Sequence, residues 1–105
     1  MSQAVVYNNM VMTAGQVAQG APGEPVKEQT ENILANIDKL LAEAGTDKSK
    51  AISATIWLSN MDDFATMNEV WDAWIDPGNP PVRAGLCSDL AAPGYLVEIM
   101  VMAAK

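Results

Sequence analysis

The sequence predicts an α+β domain in which one mixed sheet carries two helices on a single face. Three observations predict it. Two segments, residues 25–45 and about 62–75, repeat apolar residues at helical spacing. The strand-like segments around them alternate with a period of two. The order of segments reads β-β-α-β-α-β-β, which suits helices packed against one sheet. With 105 residues, half of them apolar, the chain (1-105) is one domain with a single core.

Residues 4–13 read as two short strands joined at Asn8-Asn9, because asparagine tolerates the positive φ of a tight turn. Gly15 and the stretch from Gly20 to Gly23 mark a loop. Pro25 suits the first turn of the first helix, where a missing N–H costs nothing. Ile33, Leu34, Ile37, Leu40, Leu41 and Ala44 form its apolar stripe, and Gly45 ends it. Residues 50–58 read as a strand with Ile52, Ala54, Ile56 and Leu58 on one face and Ser53, Thr55 and Trp57 on the other.

The second helix is capped by Asn60 or Asp62 and stopped by Pro77-Gly78. Phe64, Met67, Trp71, Trp74 and Ile75 make its apolar face, and Asn68 falls at the edge of that face. A polar amide there is either a paired, half-buried group or one that holds a pocket or a subunit contact. The end of the chain reads as a hairpin of residues 82–90 and 95–103, with Pro93-Gly94 in the turn. Val97, Ile99, Val101 and Ala103 share one face of its last strand; Leu96, Glu98, Met100 and Met102 share the other. Leu96, Met100, Met102 and Trp57 are too apolar to leave wet, so the open sheet face is expected to be covered in an oligomer.

Charge excludes several classes of function. A net charge of −7 and a pI near 4.2 argue against a nucleic-acid partner, which clustered Lys and Arg would serve. No apolar run approaches the ~18 residues of a membrane span. The N-terminus lacks the basic start and apolar core of a signal peptide, so the expected location is cytoplasmic. With one cysteine, Cys87, and no histidine, an intramolecular disulfide, a His-based metal site and a Ser-His or Cys-His pair are ruled out. The acids lack metal-ligand spacing. Acid–base chemistry falls to a carboxylate, a Lys, a Tyr or the backbone.

Two charged residues stand out. Arg83 is the sole arginine, in the run Pro80-Pro81-Val82-Arg83-Ala84-Gly85. Its planar fork grips a carboxylate through two parallel hydrogen bonds, which lysine cannot copy. The ordinary alternative is a structural pair with one of the 13 acids. Glu98 is flanked by apolar residues on its own strand face, so it is either buried at a cost or lines a cavity.

Several short blocks extend the reading. They are Gly15-Gln16, Gln29-Thr30, Asn32 to Leu34, Asn36-Ile37 and Ala44-Gly45; then Phe64-Ala65-Thr66-Met67-Asn68-Glu69-Val70-Trp71; then Pro81-Val82-Arg83 and Val97-Glu98-Ile99. In this order and at these separations the chain resembles, over its whole length, the RidA/YjgF reactive intermediate deaminase family, long labelled L-PSP endoribonuclease. Trp71-Asp72-Ala73-Trp74 resembles its YoaB-like branch. The resemblance implies a chorismate-mutase-like fold assembled as a homotrimer around a central barrel, with ligand clefts between subunits. It implies hydrolysis of small enamines and imines to a 2-keto acid and ammonia, with no cofactor and no metal. The alternative is a non-enzymatic trimer that binds small carboxylates such as 2-keto acids.

By the same resemblance, Arg83 grips the substrate carboxylate and Glu98 positions or activates water. Asn68 lies near the cleft and Gly15 lines it with backbone; Gly85 is added as a binding residue on its own ground, because a backbone N–H or C=O can act there whatever the side chain. The chain departs from the family pattern in three places. The family's longer N-terminus, with an aromatic residue that closes over the ligand, has no counterpart in these residues. Ala14 stands where Ser often precedes the loop glycine. Gly85 stands where RidA carries Cys, and Cys87 follows two residues on along the same strand face.

Overall fold

A computed structural model describes residues 1–105. The strands are β1 (Ala4–Tyr7), β2 (Met10–Thr13), β3 (Gln16–Val17), β4 (Ala51–Leu58), β5 (Val82–Cys87) and β6 (Val97–Ala104). The helices are α1 (Val26–Glu43) and α2 (Phe64–Trp74). The expected mixed sheet with two helices is present, in strand order β1-β2-β6-β4-β5, with β3 also pairing β6.

The first hairpin turns where expected. Asn8 and Asn9 have φ of 48° and 64°, the left-handed pair that a two-residue turn requires. β2 and β3 then take successive stretches of the same edge of β6. Between them the ladder is interrupted at Ala14-Gly15, and Thr13 Oγ1 fills the gap by accepting the Val101 N–H at 3.0 Å. The two-residue β3 falls in what the sequence presents as loop; so short a strand has no readable period.

α1 begins after Pro25, and Gly45 closes it with a φ of 85°. Ile33, Leu34, Ile37 and Leu41 are buried, while Leu40 is only half-buried at the margin of the stripe. On β4, Ala54, Ile56 and Leu58 enter the core, but Ile52 does not. The register against β6 slips between Ala51 and Ser53, which makes Ile52 the extra residue of a bulge and leaves it 44% exposed. A one-residue slip reverses every facing beyond it.

Asn60 Oδ1 accepts the Asp62 N–H at 2.9 Å, as expected of a cap, and a 3-10 turn over Met61–Asp63 leads into α2. At the entry to β4, Asp47 plays the same part for the turn Lys48–Lys50. Hydrogen bonds from the hydroxyl and N–H of Ser49 hold the Asp47 carboxyl below the ordinary aspartate range.

The expected terminal hairpin is the main correction. β5 is an edge strand parallel to β4, reached through α2, while β6 is antiparallel to β4 on its other side. β4 therefore separates the two strands that the Pro93-Gly94 turn was expected to join. Parallel neighbours need a crossover, and α2 supplies it. β6 is buried at Val97, Ile99, Val101 and Ala103, so its apolar face fits the centre of the sheet better than its edge.

The segment between β5 and β6 passes over the end of β4 and is fastened by a fully buried glutamine. Gln29 Nε2 donates to Glu24 O at 2.8 Å and Gly94 O at 2.9 Å, and Gln29 Oε1 accepts the Leu96 N–H at 2.9 Å. The core lies between the helices and the inner sheet face, with Ile33, Ile37 and Leu41 of α1 and Met67 and Trp71 of α2 over Ile56, Leu58, Ile99 and Val101.

The outer sheet face has no helix over it. Register places Val5, Tyr7, Met12, Met102, Met100, Glu98, Trp57, Val82 and Leu86 on that side. Tyr7, Val82 and Leu86 are 67%, 72% and 47% exposed. No helix is long and apolar enough to cross a membrane.

Candidate functional site

Charge is sorted by element. Arg83 is the only cation, and Glu98 the only anion, in any strand; every other acid and every lysine lies on a helix, turn or loop. A strand in a two-layer fold has little room for an idle charge, because one side of it faces the core. Both residues are half-buried.

They do not face the same way. Arg83 sits beside Ala54, which pairs Val101, and all three point toward the helices. Glu98 pairs Trp57, which lies beside Leu86, and these point to the open face. The parallel crossover causes the separation: it adds β4 between β5 and β6 and makes β5 an outer edge.

On the helix side, the Arg83 guanidinium carbon lies 5.8 Å from the Phe64 ring centre and 5.5 Å from that of Trp71. No Asp or Glu oxygen comes within 4.0 Å of it, so the structural ion pair is absent within the chain. Cation–π attraction to the two rings takes its place. Gly85 is two residues along the same face; a Cβ there would meet Phe64 Cε2 at 3.4 Å. Asn68 stands on α2 between Phe64 and Trp71. Its Nδ2 reaches Asp72 Oδ2 at 3.4 Å, and its Oδ1 is buried without a partner. Arg83, Gly85 and Asn68 thus form one half of the expected site.

Gly15 and Glu98 form the other half. Val17 pairs Glu98 across the β3–β6 ladder, which carries Gly15 over the carboxylate. A Cβ on Gly15 would lie 2.2 Å from Glu98 Oε2 and 2.9 Å from Cδ, so only glycine leaves room for this side chain. The bend at Gly15 is fixed by the buried Gln16. Its Nε2 donates to Gln3 Oε1 at 3.0 Å and Ala14 O at 3.1 Å, and its Oε1 accepts from Asn36 Nδ2 at 2.6 Å. The sequence reading saw Phe64 and Trp71 as core residues and gave Gln16 no role. The signal for the rings is their spacing of seven, which sets both on the α2 stripe that the crossover lays over β5.

Cys87 is exposed at the end of β5, its Sγ 3.9 Å from Ser59 O. No group of three or more Cys, Asp or Glu residues comes together as a cation site. A hollow of 470 Å³ lies between α1 and α2 over Leu34, Val70 and Trp74 and includes none of the five site residues. A site divided between two faces of a sheet has no closed pocket in one copy.

Residues 1–105 match the family model described as Endoribonuclease L-PSP. A RutC family protein of Haemophilus ducreyi is 42% identical over 103 residues, covering 98% of this chain and 87% of that protein. The RutC family protein YoaB of Escherichia coli K12 is 42% identical over 103 residues, covering 98% and 89%. Among solved structures, a YjgF family protein from Neisseria meningitidis aligns with a TM-score of 0.96 at 44% identity, covering 100% of this chain and 87% of that one. A protein of unknown function of the conserved Rid family from Yersinia pestis aligns with a TM-score of 0.93 at 30% identity, covering 100% and 87%. Fold and sequence agree over the whole length: the chain belongs to the family described as endoribonuclease L-PSP, whose members also carry the names RutC, YjgF and Rid.

Proposed function

We propose that this protein hydrolyses small 2-imino and 2-enamino acids to 2-keto acids and ammonia, without a cofactor, as a cytoplasmic homotrimer whose sheets close a central barrel. The observation that carries the reading is the pair of strand charges, Arg83 and Glu98. Two such charges on opposite faces of one sheet become a site when the open face of one copy meets the β5 edge of the next. The uncovered apolar face supports that assembly, since a patch of this kind marks an interaction surface.

In this reading the Arg83 fork binds the substrate carboxylate in plane while Phe64 and Trp71 occupy its face. That fixes the imine carbon against Glu98 of a neighbouring copy. Water adds to C2: the Glu98 carboxylate takes its proton as the C–O bond forms and the C=N electron pair moves to nitrogen. Glu98 passes that proton to the nitrogen, giving a carbinolamine; it then takes the hydroxyl proton and hands it to the nitrogen as well, so the C=O of the keto acid forms while the C–N bond breaks with its electron pair on the departing ammonia. General acid–base help of this kind contributes about 10²–10⁴ in rate. An enamine joins the route after its C3 is protonated.

The alternative, a trimer that binds 2-keto acids without turnover, draws on the same arginine and is favoured by one observation: its fork is unpaired in the free chain. RNA cleavage has no support in the charge pattern, because the only strand cation is Arg83.

The test is hydrolysis of 2-iminobutanoate and 2-iminopropanoate, generated in situ. Wild type should accelerate imine loss. Arg83→Ala should abolish the gain through KM, and Glu98→Gln should lower kcat about 100-fold or more. Full activity in Glu98→Gln would remove Glu98 as the base. Absence of turnover, with Arg83-dependent binding of 2-oxobutanoate, would establish the binding trimer instead.

A further inference from the structure

Asn68 carries the one buried side-chain oxygen in this chain that lacks a hydrogen-bond partner. Its orientation is set by Asp72, whose carboxylate accepts and so faces the amide nitrogen, turning Oδ1 inward. An unpaired buried acceptor destabilises a fold and calls for a physical reason. Oδ1 is closed off within its own chain, so neither solvent nor a second copy of the protein reaches it. Its partner must come from groups already beside it.

Such a group is present. Asn68 is four residues after Phe64 and three before Trp71, on one stripe of α2. The Arg83 guanidinium lies over the two rings that flank it, at 5.8 and 5.5 Å. Guanidinium has five N–H donors in its plane, and ring stacking uses its face, so stacking and in-plane hydrogen bonds are compatible. A carboxylate ligand takes two of the five.

We propose that Asn68 is a positioning residue for Arg83: its Oδ1 accepts a guanidinium N–H when the fork turns to grip a ligand carboxylate. Two rings, one amide oxygen and the ligand then fix the cation in place and in angle. This rests on the reading of Arg83 as the carboxylate clamp, and it makes Asn68 the residue that aims the group touching substrate. The rule for ligands follows: Asn68 matters to those with a carboxylate and not to their uncharged analogues.

The experiment is calorimetric titration of the full chain with 2-oxobutanoate and with 2-oxobutanamide, beside thermal unfolding. Asn68→Ala should weaken the carboxylate about 10- to 100-fold, the range for a hydrogen bond to a charged group. It should leave the amide unchanged, and hold or raise the melting temperature because the unpaired oxygen is gone. Where imine turnover is measurable, KM should rise while kcat stays. Asn68→Asp puts a carboxylate beside Arg83 that competes with the ligand, so it should lose the carboxylate ligand more completely. Equal losses for both ligands, or wild-type affinity in Asn68→Ala, would overturn the proposal. If Asn68→Ala does not fold, wild-type affinity in Asn68→Asp overturns it as well. Arg83→Ala binding like wild type, or a wild type that binds neither ligand, would defeat the clamp and this proposal together.

Discussion

Gly15 shows how far one hydrogen atom can matter. Its missing Cβ is the space in which the Glu98 carboxylate rests. The clash in Gly15→Ala would fall on the outer end of a glutamate, which can swing away at little cost to the fold. Gly15→Ala should therefore keep its melting temperature within a few degrees, a change of about 1 kcal/mol or less. Imine hydrolysis should still fall at least tenfold. A large drop in melting temperature with normal turnover would mean that the glycine serves the backbone rather than the carboxylate. Arg83 offers the complementary lesson, because a charge on an edge strand keeps its place by stacking on rings rather than by pairing with an acid.

Among the elements, the strap between β5 and β6 depends on Gln29. Gln29→Leu keeps the volume but strands Glu24 O and the Leu96 N–H and takes one of two donors from Gly94 O. The expected cost is about 2–4 kcal/mol by unfolding in urea, because several buried polar groups lose partners at once. Amide exchange at Leu96 should accelerate before that of the β6 core. The sequence showed the elements themselves well. Periodicity marked both helices and most strands, Asn8-Asn9 marked its turn, and Asn60 marked its cap. It misjudged the order of strands, because Pro93-Gly94 resembles a tight turn and says nothing about a strand passing between. Neighbourhood in a sheet is decided by which strand buries both its edges, a property of the whole sheet. The β4 bulge at Ile52 was hidden for a related reason: a period of two continues unbroken in the sequence through a slip in register. The candidate site was readable as residue types, a lone arginine and a carboxylate on an apolar face. Its division between two faces was not, since it follows from the crossover.

The whole molecule has one helical face and one bare apolar face, and the bare face supports the proposed assembly of several copies. Leu86→Lys, on the open face of β5, should lower the native mass from about three times 11.2 kDa to a single chain in analytical ultracentrifugation and remove turnover with it. An unchanged mass would place the contact elsewhere. The sorting of charge also has a kinetic consequence. With Arg83 and Glu98 alone in the strands and a net charge of −7 on the remainder and its surroundings, an incoming carboxylate anion crosses a repulsive field before it reaches its cation. That field extends about 30 Å at 0.01 M salt and only about 8 Å at 0.15 M. Association of 2-oxobutanoate should therefore quicken as salt is added in stopped-flow mixing, the reverse of an electrostatically steered enzyme, and an ionic medium would act here as an accelerator of capture.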